Sequence, residues 1–279
     1  MAHPNKTRRV IYLSEPAFVV VLLLLLFTFL GLNTAYGAGN FLGNALPVGL
    51  IYPTPVGILF PGFNIAAGVN AAALPNGKKG TALEIAAAPS LKSGDSTSGL
   101  VSIATSSQNI GWSLGYTNTT TDSTMTHGLY SGVGFKLGDV QLGMGLRGAL
   151  SNGFTPSVDA GMIVHTSQTL VLGAVGYNLD SAPQVAVGIG VGHAKKDNVE
   201  LNVLTPPFGN SLAVKTYLVT FSATVYTGAF GTIFRSSYDT TAGSFSETLG
   251  ALIWLGQDVN FALELTTPRT LTAGFTYVF

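Results

Sequence analysis

The ten residues Thr270-Leu-Thr-Ala-Gly-Phe-Thr-Tyr-Val-Phe279 carry the pattern on which the fold prediction depends. Large apolar residues alternate there with small or polar ones, and a β-strand places successive side chains on opposite faces. Because aromatic residues are concentrated towards the end of this strand, as in the interfacial girdle of a membrane barrel, we expect its apolar face to contact lipid. That face holds Leu271, Ala273, Phe275, Tyr277 and Phe279.

The same alternation recurs from Gly80 onward in short runs separated by turn residues. Val185, Val187, Ile189 and Val191, for example, alternate with alanine and glycine. Runs of about ten residues with one apolar face are typical of transmembrane barrels, so residues 80–279 are predicted to form an all-β, antiparallel, up-and-down transmembrane β-barrel of about fourteen strands. Twelve strands is the alternative, if the two weakest runs, 197–205 and 229–238, are excluded. The predicted strands are 80–88, 98–106, 110–119, 127–137, 139–149, 157–166, 169–178, 184–194, 197–205, 212–226, 229–238, 245–255, 258–267 and 270–279.

The start of the chain has the order of a secretory signal peptide. Basic residues at Lys6, Arg8 and Arg9 precede an apolar run over 18–30, and small residues follow at 35–38. The alternative is a membrane-spanning helix, but the apolar run is shorter than the roughly 20 residues that a bilayer span requires. We therefore expect residues 1–37 to be a cleaved signal peptide and the protein to be exported.

Composition excludes several classes of protein. Hydrophobic residues make up 47% of the chain and charged residues only 9%, whereas soluble domains carry about 25% charged residues. Loss of residues 1–37 removes three basic residues and one acid from a chain of zero net charge, so the remainder is slightly acidic. A nucleic-acid partner is therefore not expected. The absence of cysteine excludes disulfides and thiolate metal sites.

Residues 38–79 do not alternate and are predicted to form a hatch, or plug, inside the barrel. Pro47-Val-Gly-Leu-Ile-Tyr-Pro53 is nearly repeated by Pro55-Val-Gly-Ile-Leu-Phe-Pro61, and its prolines and glycines disfavour a central strand or a helix. An irregular apolar segment is tolerated at membrane depth when protein surrounds it; the alternative is a periplasmic loop packed on the barrel mouth. The candidate ligand and hatch residues are Pro47, Leu50, Ile51, Tyr52, Pro55, Ile58, Leu59, Phe60, Phe63 and Asn70.

Motifs for catalysis or cofactor binding are not supported. Gly143-Met-Gly145-Leu-Arg-Gly148 has the spacing of a dinucleotide fingerprint, but it lies within a predicted strand rather than at a turn that opens a helix. No histidine has a second metal ligand at suitable spacing on its own face, and no Ser-His-Asp grouping is indicated. The chain is therefore predicted not to be an enzyme and to bind neither a cofactor nor a metal.

Charged residues occur on the small, polar faces of the predicted strands. Two interpretations stay open: a structural network that pairs opposite charges inside the barrel, and a polar constriction that tunes passage through the lumen. Their mixed signs argue against strong ion selectivity. The predicted lumen charges are Glu84, Lys136, Arg147, Asp159, Glu200, Arg235 and Glu264, together with Asp258.

Two stretches resemble known membrane proteins. The C-terminal strand, with Phe275, Tyr277 and Phe279, resembles the terminal strand of Gram-negative outer-membrane barrels, which implies recognition by the barrel-assembly machinery. Asn70-Ala-Ala-Ala-Leu-Pro75 resembles the stretch before the first strand in the FadL/TodX family of hydrophobic-compound transporters. This resemblance implies a fourteen-stranded barrel with an N-terminal hatch, whose substrate enters from outside and leaves sideways through the wall.

The resulting expectation is an outer-membrane channel for the passive uptake of small hydrophobic molecules, of fatty-acid or aromatic-hydrocarbon type, gated by the hatch. Its expected partners are outer-membrane lipid, the assembly machinery and a small hydrophobic ligand. The alternatives are a general diffusion porin for small polar solutes and a structural barrel that transports nothing.

Overall fold

The computed structural model of the protein describes most of the predicted barrel and part of the segment before it. The described residues are 58–61, 66–76, 80–88, 97–121, 124–150, 154–180, 183–193, 197–205, 217–240, 243–255, 259–266 and 270–278. The predicted signal peptide and the first half of the predicted hatch lie outside these residues. Among the described residues, no helix combines the length and the apolar character needed to cross a bilayer.

Within the described residues, two short helices precede fourteen strands. Helix α1 spans Ala66–Val69 and a 3₁₀ helix spans Ala71–Asn76. The strands are β1 (Gly80–Ala88), β2 (Thr97–Ser106), β3 (Ile110–Thr121), β4 (Thr124–Leu137), β5 (Val140–Leu150), β6 (Phe154–His165), β7 (Leu170–Tyr177), β8 (Gln184–Gly192), β9 (Asn198–Leu204), β10 (Leu218–Thr227), β11 (Phe230–Asp239), β12 (Ser244–Trp254), β13 (Val259–Thr266) and β14 (Thr270–Val278).

The strands form one closed barrel in which each pairs with its sequence neighbours. All pairings are antiparallel, and β1 closes the barrel against β14, with Ala82 opposite Val278 and Ala87 opposite Ala273. The predicted fourteen-stranded antiparallel barrel is therefore confirmed. Closure pairs every edge strand, so no open sheet edge is left among the described strands.

The outer face of the barrel is apolar. In β8, Val187, Ile189 and Val191 are exposed on this face, with Ile189 at 47% of its full accessible area. In β14, Phe275 and Tyr277 are each 43% exposed on the same side. Isolated exposed apolar residues are ordinary on soluble proteins, but here they repeat on strand after strand. Such a continuous band matches the lipid-facing surface of a transmembrane barrel.

The inner face carries small and polar residues at the alternate positions. In β3, for example, Ser113 and Thr117 are buried whereas Trp112 and Leu114 are exposed outside. Neighbouring strands of a closed barrel tilt and twist, and their small inner side chains leave space in the lumen. The Gly-x-Gly-x-x-Gly motif at residues 143–148 lies within β5, as the alternation predicts.

Candidate functional site in the barrel interior

A compact apolar segment packs against the inner wall. We call residues 58–61 and 66–76 the inner segment. Helix α1 contacts β3, β4 and β5, and the 3₁₀ helix contacts β2 to β6. Nearly all of its side chains are buried, from Ala66 to Pro75. Alanine favours helix formation because it loses no side-chain entropy, and Pro75 limits the second helix because proline removes a backbone donor.

Glycines in the wall allow the backbone of the inner segment to approach closely. A Cβ atom on Gly143 would overlap the backbone of Ala71 and Ala72, and one on Gly134 would overlap the Ala71 carbonyl oxygen. A Cβ atom on Gly111 would lie 2.6 Å from the Leu74 carbonyl oxygen. Since the obstructing atoms belong to the backbone, they cannot rotate away as a side chain could. The wall and the segment are therefore complementary in shape at β3, β4 and β5.

Asn70 joins the two parts of the inner segment. Its side-chain Nδ2 donates a hydrogen bond of 2.7 Å to the Ile58 carbonyl oxygen. Its Oδ1 accepts one of 3.1 Å from the Ala72 backbone N–H, at the start of the 3₁₀ helix. A Cβ atom on Gly161 would overlap Asn70 Oδ1. The residue therefore acts in this fold as a structural cap that needs a glycine opposite it.

Residues 58–60 contact a second part of the wall, formed by β7, β8 and β9. A Cβ atom on Gly173 would lie 2.5 Å from Leu59 Cδ2, and one on Gly190 would lie 2.7 Å from Phe60 Cε2. The buried apolar side chains of this stretch belong to the same core cluster as the alanines of α1 and the 3₁₀ helix. The inner segment therefore covers inner faces from β2 round to β9.

The carboxylate of Glu200 holds the backbone of this stretch. Its Oε2 accepts hydrogen bonds from the N–H groups of Leu59 and Phe60, each at 3.2 Å. Its Oε1 accepts bonds from Asn202 Nδ2 at 2.9 Å and from Ser222 Oγ at 3.3 Å. A buried carboxylate is stable only when donors surround it, and of its four donors among the described residues, two belong to the inner segment. Displacement of the segment would remove the two hydrogen bonds that Glu200 Oε2 accepts from it.

A second polar cluster lies at the end of β5, β6 and β7. Arg147 Nε lies 2.6 Å from Asp159 Oδ2, and Arg147 Nη2 donates to Asp159 Oδ1 at 3.1 Å. Asp159 Oδ1 also accepts the backbone N–H of Asn178 at 2.9 Å. The pair thus combines a close charge–charge contact with one charge-assisted hydrogen bond. The pair is buried, so loss of either partner would leave an unpaired charge in the wall.

Tyr177 connects this cluster to the inner segment. Its hydroxyl donates a 2.7 Å hydrogen bond to the Val69 carbonyl oxygen at the end of α1, and the Arg147 guanidinium lies 5.0 Å from the centre of its ring. Immediately after it, Asn178 adopts a left-handed conformation with φ of 51°, where β7 ends. The side chain of Asp180 then accepts the Val158 N–H at 3.0 Å, so side chains continue the β6–β7 ladder.

The other end of the inner segment is fixed by amide groups. Asn76 Nδ2 donates to Gln141 Oε1 at 3.0 Å, and Gln141 Nε2 donates to Asn76 Oδ1 at 2.7 Å. Gln141 Nε2 also lies 3.1 Å from His165 Nε2. Ser106 Oγ donates to the Pro75 carbonyl oxygen at 3.3 Å. The segment is thus held by polar contacts at both ends and by apolar packing between them.

Four of the ten predicted hatch residues can be located. Ile58, Leu59, Phe60 and Asn70 are buried together in the barrel interior. The C-terminal aromatics Phe275 and Tyr277 lie on the outer face. The remaining members of both sets lie outside the described residues: Pro47, Leu50, Ile51, Tyr52, Pro55, Phe63 and Phe279.

The seven charges predicted for the lumen all occupy inner-face positions. Arg147 pairs with Asp159, and Arg235 Nη2 lies 3.7 Å from Glu264 Oε1. Lys136 is partly buried near the β4–β5 turn. Among the described residues, Glu84 and Glu200 form no ion pair with a basic side chain. Asp258 lies outside the described residues.

Sequence reasoning did not identify three large inner side chains that organise the site: Tyr130, Gln141 and Tyr177. All three are fully buried. The available signal was that each is a large side chain on the inner face of a strand that also carries glycines on that face. A Cβ atom on Gly115 would overlap the Tyr130 ring, which shows how a glycine in one strand makes room for an aromatic side chain of the next.

The fold is similar to that of solved channel structures. The CymD monoaromatic hydrocarbon channel superposes with a TM-score of 0.60 and 10% sequence identity, over 80% of this chain and 95% of that chain. A porin from Rhodopseudomonas blastica superposes with a TM-score of 0.43 and 10% identity, over 71% of this chain and 98% of that chain. No protein-family model and no curated protein matches the sequence. At 10% identity the first similarity shows the fold alone.

Proposed function

We propose that the protein is an outer-membrane channel through which small hydrophobic molecules diffuse passively, with the inner segment as its hatch. The observation that carries this proposal is the apolar inner segment, whose backbone packs directly against glycines of the barrel wall. The outer face of the same barrel is also apolar. A wall of polar side chains alone would suit water-soluble solutes, whereas Ile58, Leu59 and Phe60 form a buried apolar cluster inside the barrel that displacement of the segment would uncover. The fold shared with a monoaromatic hydrocarbon channel is compatible with this class of substrate.

Gating in this proposal is a displacement of the inner segment from the wall. Glu200 holds residues 59 and 60, and Tyr177 holds the Val69 carbonyl. Each hydrogen bond of this kind contributes about 0.5–1.5 kcal/mol, and bonds to a charged group about 1.5–3 kcal/mol. A hydrophobic solute that competes for the packing surface would need to offset only a few such contacts. The segment can therefore be both stably seated and displaceable.

The remaining parts of the proposal concern export and assembly. Residues 1–37 would direct export and be removed, and residues 38–79 would form the complete hatch ahead of the barrel. The aromatics of β14 would be recognised by the barrel-assembly machinery before they contact lipid, since Phe275 and Tyr277 lie on the outer face of the closing strand.

Deletion of residues 39–63 tests the hatch. The full chain, produced in Gram-negative cells that lack their own hydrocarbon channels, should admit radiolabelled toluene, and the deletion should raise the initial uptake rate several-fold because it removes the contacts with Glu200. A variant in which residues 39–57 are replaced by a Gly/Ser linker of equal length, with 58–63 intact, is the matched control and should stay near the full-chain rate. Identical uptake by all three proteins would reject the hatch role.

A general diffusion porin is the second candidate, and the inner face of β10 favours it. Thr220, Ser222 and Thr224 are buried on this face, and hydroxyl groups suit polar solutes. Conductance of purified protein in planar bilayers separates the two functions. A steadily open channel in potassium chloride favours the porin, and a nearly silent barrel favours the hatch.

A further inference from the structure

Among the described residues, the seam where the barrel closes carries buried side-chain oxygen atoms that lack hydrogen-bond partners, and two of them belong to Glu84 and Asn260. Glu84 of β1 and Asn260 of β13 both lie opposite Thr276 of β14, one on each side of it. Their side chains face inward, at 1% and 8% exposure. Among the described residues, neither Glu84 Oε1 nor Asn260 Oδ1 has a hydrogen-bond partner. Two acceptors thus face the lumen from neighbouring positions of one register row.

Among the described residues, no basic side chain forms an ion pair with Glu84. On β2, Ser102 lies opposite Glu84. The carboxyl group of Glu264 interacts electrostatically with Glu84, and Glu264 has Arg235 at 3.7 Å. The described residues of the seam therefore include two interacting carboxyl groups, Glu84 and Glu264, and one guanidinium, which pairs with Glu264.

Buried acceptors in native proteins are almost always satisfied by protein, water or a ligand. An isolated buried carboxylate is especially costly, so it either takes up a proton or meets a cation. An asparagine oxygen adds a second acceptor at a fixed position. A ligand that carries positive charge and N–H or polarised C–H groups would satisfy both oxygens, while an anion would be repelled by Glu84 and Glu264.

We propose that Glu84 and Asn260 form a binding site for organic cations. The solutes favoured by this channel then carry an ammonium group on a small apolar body. The inference rests on the proposed channel function and names a substrate class within it. The apolar body would contact the inner segment and the Tyr130 side of the lumen, and the head would meet the acceptors at the β1–β14–β13 seam. Thr276, between them, offers a hydroxyl to the same head.

The test compares two membrane-impermeant ions of similar size. Full-length purified protein is reconstituted in vesicles loaded with benzyltrimethylammonium or with benzenesulfonate, and the efflux of each is measured by absorbance. We expect the cation to leave at least fivefold faster than the anion. Equal rates, a faster anion, or no efflux of either ion would overturn the proposal and would indicate that a proton or water satisfies the two oxygens.

Glu84→Gln removes the charge and should lower the cation rate at least threefold while the anion rate stays the same or rises. Glu247→Gln, at an exposed outer-face position of β12, is the matched control and should leave both rates unchanged. If Glu84→Gln does not give a folded, heat-modifiable barrel, Asn260→Ala keeps the charge and should still lower the cation rate. An unchanged cation rate in a folded Glu84 variant would overturn the proposal.

This inference and the channel function fail separately. The rate of toluene uptake by whole cells measures the channel function with an uncharged solute. Uptake of toluene without preference for the cation would reject only the cation-binding site. Absence of toluene uptake would reject the hydrophobic-channel function itself.

Discussion

Gly143→Leu should release the inner segment from the wall while leaving the barrel closed. A Cβ atom at this position already overlaps the backbone of Ala71 and Ala72, and a leucine adds three further carbons in the same direction. Overpacking costs about 1–3 kcal/mol even where side chains can rearrange. Since 1.4 kcal/mol is a tenfold change in an equilibrium, the displaced population should rise about tenfold or more.

The chain has no cysteine, so an Ala71→Cys background reports this displacement cleanly. Its rate of modification by a water-soluble maleimide should increase about tenfold when Gly143→Leu is added, and toluene uptake should rise with it. Gly176→Leu is the matched control, because its side chain would point outward and meet only the flexible side chain of Leu179. Equal labelling in both variants would show that residues 71 and 72 do not lie against β5.

Ile189→Arg should destabilise the barrel by about 2–4 kcal/mol in lipid vesicles. Ile189 lies near the middle of β8 and is exposed on the outer face. If that face meets hydrocarbon, the guanidinium must be desolvated or must reach the interface at a cost. A soluble barrel would instead tolerate the change within about 0.5 kcal/mol, as expected for an exposed surface position.

The measurement is the free energy of unfolding by guanidinium chloride in vesicles. Gln108→Arg, in the exposed turn between β2 and β3, introduces the same side chain where we expect water and should change stability by less than about 0.5 kcal/mol. Two variants of equal stability would contradict lipid contact on the outer face of β8.

The strands could be predicted because the physical constraint is local and repeats every two residues. The run at residues 80–88 coincides with β1, and Val187 and Ile189 face outward as their alternation indicates.

Strand ends were less predictable. Strand β6 begins at Phe154 instead of residue 157 and includes Pro156 opposite Gly148, a position at which proline would ordinarily argue against a paired strand. The predicted run 212–226 is found as Leu218–Thr227, and residues 212–216 lie outside the described part.

The structure of the inner segment was less accessible from sequence. The region before the barrel was predicted to be irregular, yet α1 and the 3₁₀ helix occupy residues 66–76. Runs of four and six residues are too short to be helical alone, and helix nucleation is unfavourable in isolation. The wall glycines and the cap by Asn70 stabilise these turns, and both depend on tertiary contacts that periodicity does not reveal.

For the candidate site, the sequence predicts which side chains lie on the inner face of the barrel, but it does not predict their hydrogen-bond partners. Alternation places Glu200 and Arg147 on the inner side. It does not indicate that Glu200 binds the backbone of residues 59 and 60, or that Tyr177 reaches Val69. Each of these contacts joins residues more than a hundred positions apart, so it follows from barrel closure and not from local sequence.

Disulfide trapping tests the central claim, an apolar segment seated on the inner wall of a lipid-facing barrel, most directly. In Ala71→Cys with Gly132→Cys, the two Cβ atoms would lie about 3.1 Å apart, close to the roughly 3.5–4.5 Å of a disulfide. Mild oxidation in native membranes should cross-link this pair and reduce toluene uptake, and a reductant should restore it. Ala71→Cys with Gly250→Cys is the control pair and should stay unlinked. Failure of the first pair to cross-link, or linking of both pairs at equal rates, would contradict the account.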